Sequence, residues 1–173
     1  MKTAIALLVG VVLVSNTGLP FTQEYPHAFP RPGAEELVEN ECVFVWEVVW
    51  PNGTPERHAI MIDLKEHAPT KLKARTDIPL AFPLLGGEQL IDNPRVRAWD
   101  VAMRTGQTIP MHFHDRDLVW VFLEGGTVLS TGEDGQEERT TWAYKDVRFL
   151  PRGQAHTVEV LDGSPRVILY ELE

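Results

Sequence analysis

Six histidines carry most of the chemistry open to this sequence: His27, His58, His67, His112, His114 and His156. Two form an H-x-H pair, His112-Phe113-His114. On an extended strand, residues two apart project from the same face, so two imidazoles can chelate one ion. His156 follows the turn Pro151-Arg152-Gly153. Pro151 presets φ and Gly153 can take positive φ, so the turn delivers His156 to the start of a new strand. If that strand lies near the H-x-H strand, three neutral imidazoles meet at one ion. Such a set suits Fe, Mn, Ni, Cu or Zn, and spacing does not select among them. Redox-active Fe, Mn, Ni or Cu would allow dioxygenase chemistry at the open positions, whereas Zn would supply a hydroxide or a Lewis acid. Asp117 is the nearest carboxylate. It is either a fourth ligand, reached through a bulge in the strand, or a base that orients an imidazole. His58 starts a strand and reads as a surface or satisfied core residue. His27 and His67 read as solvated.

Other residues offer less. Trp99, Trp120 and Trp142 fall on predicted strands and are expected to pack the core rather than line a pocket. Trp46 and Trp50, four apart, share a strand face and could cover the barrel or form a dimer contact. Arg148 alternates with Val147 and Phe149. It is either an inward anchor for a carboxylate substrate or a surface residue, and the surface is favoured. Tyr144 and Tyr170 are available as acid/base or hydrogen-bonding groups. Cys42, the lone cysteine, precludes an internal disulfide and reads as a buried, inert thiol. There is no Gly-rich phosphate loop, nucleophile elbow or cysteine-based zinc motif.

The elements that must position these groups are strands. Residues 42–50, CVFVWEVVW, end at Pro51-Asn52-Gly53-Thr54, a strong hairpin signal, and the return strand is roughly 57–64. Residues 34–41 are expected to form a short helix, and 65–94 to be loop with short strands. From Val96 onward come close-set strands at 96–103, 118–123, 127–130, 138–142, 147–150, 157–161 and 166–171. Short strands separated by Gly and Asp turns imply an all-β sandwich or barrel. The expected organisation is a leader over 1–18, a Pro-rich arm with the short helix over 19–40, and a barrel over 41–173 whose motif-bearing core is 95–173.

The chain has 173 residues, 43% hydrophobic and 24% charged, as for a globular domain. A net charge of −9 argues against nucleic acid or anionic lipid as a partner, since both require basic surface. Lys2, the apolar run Ala4–Val14 and the small polar residues Ser15 to Gly18 read as a secretory signal peptide. The run is 11 residues long, against about 20 for a spanning helix. The expectation is export to the periplasm or the medium, with no stable membrane insertion after cleavage.

The two histidine segments together resemble the cupins. The first cupin motif, G-x5-H-x-H-x3,4-E-x6-G, is matched by Gly106 through His112 and His114. The second, G-x5-P-x-G-x2-H-x3-N, is matched by Pro151, Gly153 and His156. The resemblance spans roughly residues 95–173. It implies an all-β double-stranded β-helix, the jelly roll, here with a Pro-rich N-terminal arm and an extra hairpin. The chain departs from the pattern in three places. Leu118 or Val119 stands where the motif's glutamate ligand belongs, Lys145 replaces the first glycine of the second motif, and Val160 its asparagine. A three-histidine site without carboxylate resembles that of the cupin thiol dioxygenases and is favoured over Asp117 as a ligand. The pattern is also similar to small bacterial cupins, some named for β-alanine degradation. The implied function is an exported metal-binding cupin acting as a metal-dependent, dioxygenase-like enzyme on a small organic molecule. The alternative is a non-catalytic cupin that binds or senses a small ligand. A homodimer is the expected assembly.

Overall fold

The computed structural model describes residues 10–11, 34–50, 57–65 and 71–173. The Pro-rich arm, most of the apolar leader run, the Asn52-Gly53 turn, His27 and His67 lie outside the described residues, as do the side chains of His58 and Trp50. The chain divides into two compact units, Met1–His67 and Ala68–Glu173. The hairpin expected to extend the barrel thus belongs to the first unit. Among the described residues no helix is long and apolar enough to cross a membrane.

The first unit is a four-stranded sheet in the order β1-β4-β3-β2. Its strands are β1 (Gly10–Val11), β2 (Ala34–Glu39), β3 (Val43–Trp50) and β4 (Arg57–Leu64). β3 and β4 pair antiparallel from Val43↔Leu64 to Trp50↔Arg57, the register of the expected hairpin. Val43, Val45, Ile60 and Ile62 are buried, as is Cys42. β1 pairs in parallel with Met61 and Ile62. Residues 34–39 are a strand, not the expected short helix. Six residues are too few to sustain a helix without tertiary support, and β3 offers an open edge that they fill, Ala34 opposite Val48 and Glu39 opposite Phe44. The reversal between them is built by Asn40, whose Oδ1 accepts from the N–H groups of Cys42 (2.8 Å) and Val43 (3.0 Å).

The second unit is the barrel. It opens with a single turn, α1 (Ala81–Leu84), followed by β5 (Glu88–Asp92), β6 (Val96–Ala102), β7 (Thr108–Phe113), β8 (Leu118–Gly132), β9 (Glu137–Trp142), β10 (Val147–Leu150) and β11 (Ala155–Leu172). β8 and β11 are long, and each serves two layers. Their halves Leu118–Glu124 and Arg166–Glu171 pair with one another, with β10 on one side and β6-β5 on the other. Their other halves, Gly126–Gly132 and His156–Gly163, also pair, flanked by β9 and β7. Two layers that share two continuous bent strands make the double-stranded β-helix expected from the sequence. The pairs 118–123 with 127–130, and 157–161 with 166–171, are therefore not four strands but two.

The bend has a steric cause. Gly125 and Gly126 of β8 face Gly163 of β11, which has φ +80°. A Cβ on Gly163 would lie 2.9 Å from Gly126 Cα, and one on Gly126 would lie 2.8 Å from the Asp162 carbonyl oxygen. Only glycines let the two backbones cross this closely. The pairing register shifts around Asp162, Gly163 and Arg166, as bulges at a barrel corner do. The core between the layers is apolar: Val101, Ile109, Phe122, Val160, Val167 and Leu169 are all buried.

Candidate metal centre

The site is built by strand register. β7 runs antiparallel to β11 and places His112 directly opposite His156. Directly paired residues carry their Cβ atoms about 4.5–5.5 Å apart, so the two rings must meet; their centroids are 4.7 Å apart. His114 follows the last residue of β7. Its backbone is held by two hydrogen bonds: its N–H donates to the Gln154 carbonyl (2.9 Å) and its carbonyl accepts from Gly153 N–H (2.8 Å). Gly153 has φ +89°, so the Pro-x-Gly turn forms in the expected way and docks on the H-x-H segment. The His114 ring lies 4.9 Å from that of His112 and 5.1 Å from that of His156. Phe113, between them, points to the opposite face and is buried.

The three imidazoles are all buried, at 1%, 3% and 8% exposure, and their ligand atoms lie within 4.8 Å of one another. Their protonation suits a cation. His112 Nδ1 lies 2.9 Å from the Pro110 carbonyl oxygen, which can only accept, so Nδ1 carries the proton and Nε2 keeps its lone pair. His114 Nε2 and His156 Nε2 are buried without a hydrogen-bond partner among the described residues. Burial lowers the pKa of all three, and mutual repulsion adds to this at His114 and His156. His156 is brought down to about 4, the Arg148 charge contributing. Three neutral rings whose ligand atoms converge, two of them with an unpartnered Nε2, fit a divalent ion. An empty arrangement of this kind leaves buried acceptors unsatisfied, which is costly.

Neither neighbouring carboxylate joins the cluster. Asp117 Oδ1 accepts from the Arg152 backbone N–H (2.6 Å) and Oδ2 lies 3.5 Å from the Arg152 guanidinium. Asp117 therefore pins the turn that carries His156 and stands outside the histidine group, so the ligand role considered for it does not match its placement. The register shift that β7 does carry lies between Ile109 and His112, ahead of the histidine pair and not beside Asp117. Instead, the chain leaves the strand after Phe113 and re-enters one at Leu118. Asp115 also turns away, to Lys71 (3.2 Å) and the buried Arg116 (3.3 Å).

His112 and His156 lie on the wall of a cavity of about 220 Å³ between the barrel layers. The rest of the wall is mostly apolar and aromatic, including Val128, Leu169, Trp120, Phe122 and Trp142. Trp142 stacks on Phe122 with centroids 4.6 Å apart and planes 9° from parallel. Trp120 and Trp142 pack against the barrel core as expected and also line this cavity. Trp99 does not; it stacks on Phe82 and donates Nε1–H to Glu171 (2.9 Å). Arg148, for which the surface was favoured, is also on the cavity wall. The signal was its neighbour two residues on: Leu150 shares its strand face and is buried. Of the tyrosines, Tyr144 is exposed, while Tyr170 is buried in the sheet, which holds its phenol pKa well above the ordinary value. Neither lines the cavity.

No protein-family model and no curated protein matches the sequence. Solved structures do resemble it. A cupin domain protein from Bordetella pertussis Tohama I is 22% identical, over 56% of this chain and 96% of that one, with a TM-score of 0.46. An RmlC-like cupin with a double-stranded β-helix fold from Methanocaldococcus jannaschii is 11% identical, over 60% of this chain and 90% of that one, at 0.44. A DMSP lyase from Ruegeria pomeroyi DSS-3 is 15% identical, over 61% and 68%, at 0.43. The likeness is one of fold. The strand pairing described above is itself the double-stranded β-helix of cupins.

Proposed function

We propose that this chain is a metal-binding cupin which holds one divalent transition ion on His112, His114 and His156. In this reading it is a metal-dependent, dioxygenase-like enzyme acting on a small organic molecule. One observation carries the proposal: three buried neutral imidazoles converge, the Nε2 atoms of His114 and His156 unpartnered among the described residues, beside a largely apolar cavity. Three protein ligands leave coordination positions open, and the cavity supplies a dry space next to them. A bound ion of this kind would polarise or activate whatever small molecule enters. The chain's own part is to fix the three rings, exclude water and orient the guest.

A non-catalytic ligand binder is the second reading, favoured by one feature. The acidic residues on the cavity wall, Glu137 and Glu138, are exposed, and no carboxylate sits in the histidine group to serve as a base.

The proposal extends to location and assembly. Lys2 and the apolar run Ala4–Val14 support export to the periplasm or beyond, and a two-fold dimer is the assembly we expect. The mass of the mature protein and its sedimentation behaviour test these two points.

The decisive experiment is the metal content of protein purified without chelator, beside His112→Ala and His156→Ala variants. About one equivalent of a transition metal, lost in both variants, is the expected result. Absence of bound metal, with no uptake of added Fe, Mn, Ni, Cu or Zn, would overturn the metal reading. The identity of the metal then separates oxygen chemistry from hydrolysis.

A further inference from the structure

The cavity carries a cationic donor that the histidine group does not use, Arg148, and strand register puts an aromatic ring beside it. β10 pairs with β8 so that Arg148 is directly opposite Trp120, and both side chains line the cavity. Trp120 Nε1 is buried and meets no hydrogen-bond partner among the described residues. An indole N–H can only donate, and this one is closed off from solvent, so Trp120 offers the cavity its ring rather than its N–H. Arg148 is half-buried, with its guanidinium 5.6 Å from the centroid of the Trp142 ring. Its polar contact is a 3.5 Å approach to exposed Glu138, at the limit of a hydrogen bond. The rest of its planar fork is open, and that fork matches a carboxylate.

From this pairing we infer that the cavity binds a small organic acid with one carboxylate and an apolar body. The carboxylate takes N–H donors from Arg148, and the body lies against Trp120, Phe122, Trp142 and Val128. The inference deepens the proposed function and rests on it for the site's role. Three features narrow the class. About 220 Å³ is below the roughly 300–1,000 Å³ of pockets for drug-sized ligands, so the guest is small. Most of the wall is hydrocarbon and aromatic, with Ser130, Thr140, Gln136 and Gln154 as its neutral polar members, so the body of the guest is mainly apolar. Glu137 and Glu138, exposed along the same wall, disfavour a second negative charge. Arg148 belongs to the layer that holds β10, and His112 and His156 to the other. A guest anchored on Arg148 therefore spans the cavity with its far end toward the histidines.

The test pairs acids with their uncharged amides: acetate with acetamide, butyrate with butyramide, benzoate with benzamide. Each is titrated into zinc-loaded protein by calorimetry, with tryptophan emission as a second readout. The expected result is that at least one acid binds about tenfold or more tightly than its amide, since a charge-assisted hydrogen bond supplies that much. Arg148→Gln should abolish this preference, whereas Trp120→Phe, which deletes the indole N–H and keeps a ring, should leave it, with one zinc still bound in each. A preference that survives Arg148→Gln would mean that the acid binds the zinc alone, which overturns the inference. So would the lack of any preference across the three pairs. Repeating the titration on zinc-free protein separates the two claims. If no zinc binds but an Arg148-dependent acid preference remains, only the metal reading fails.

Discussion

The Asp117 carboxylate accepts a 2.6 Å hydrogen bond from the backbone N–H of Arg152, a residue on the turn that leads to His156. In the proposed metal site this places Asp117 as a positioning residue for His156 rather than as a ligand. Asp117→Asn retains an oxygen acceptor and should still bind one metal ion per chain. Asp117→Ala leaves a partly buried N–H without a partner and should lower stability by about 1–3 kcal/mol. Metal analysis and urea denaturation of the two variants check this. Loss of the ion in Asp117→Asn would restore Asp117 as a ligand.

Acid should destabilise the metal-free protein through its histidines. Burial holds His112, His114 and His156 neutral below the ordinary imidazole value of 6.5, with His156 at about 4. Below pH 6.5 the unfolded chain takes up protons that the folded chain refuses. This contribution is therefore intact above about pH 6.5 and is lost progressively as pH falls toward about 4, amounting to a few kcal/mol. Urea midpoints measured across that range should fall less steeply in His156→Gln than in the parent. Metal binding should weaken over the same interval, because protons compete for the same nitrogens. Equal slopes in parent and variant would contradict the burial argument.

The barrel corner gives a steric prediction. Gly163 and Gly135 both have positive φ, at +80° and +79°. Around Gly135 a Cβ would meet nothing within 4 Å, whereas at Gly163 it would strike the Gly126 backbone. Gly135→Ala should cost roughly 1–2 kcal/mol, the price of the left-handed backbone alone. Gly163→Ala should cost clearly more, and the difference between the two denaturation curves measures the crossing of β8 and β11. Equal costs would mean that the strands separate easily there.

Phe122 couples the core to the cavity. It is 1% exposed and stacks on Trp142. Phe122→Ala should destabilise by about 3–5 kcal/mol, as large aromatic deletions in packed cores do. Thermal or urea unfolding of the variant checks it, and a loss under 1 kcal/mol would show that the stack is dispensable.

Much of the barrel was legible because local pattern and tertiary role agree there. The strands at 96–102 and 147–150 are short segments of β-branched and aromatic residues interrupted by charged ones and flanked by turn residues, and the structure keeps them. The histidine group was legible because a period of two puts His112 and His114 on one face and Pro151-Arg152-Gly153 forces a turn. What could not be read was pairing. Nothing local says that Leu118–Gly132 bends through Gly125-Gly126 without ending, since a Gly pair between apolar runs signals a turn equally well. Register also decided Arg148. Alternation allowed either face, and only the pairing with Trp120 and the burial of Leu150 place it inward. Residues 34–39 failed for a related reason: their composition suits a helix, but the open edge of β3 decides the outcome.

β11 comes after β6, β7 and β8 in the chain, yet it pairs with all three and so lies inside both layers. During synthesis the strands made earlier must wait for it, holding their apolar faces without a partner. Contacts of such long sequence separation make closure slow, and the unfinished barrel is the state most open to misassembly. His156 is the second residue of this strand and pairs with His112, so barrel closure and assembly of the three-histidine group are one event. A chain cut before residue 155 would lack a central strand and a histidine together, and quality control that senses exposed strands would thereby also remove every copy with an incomplete site.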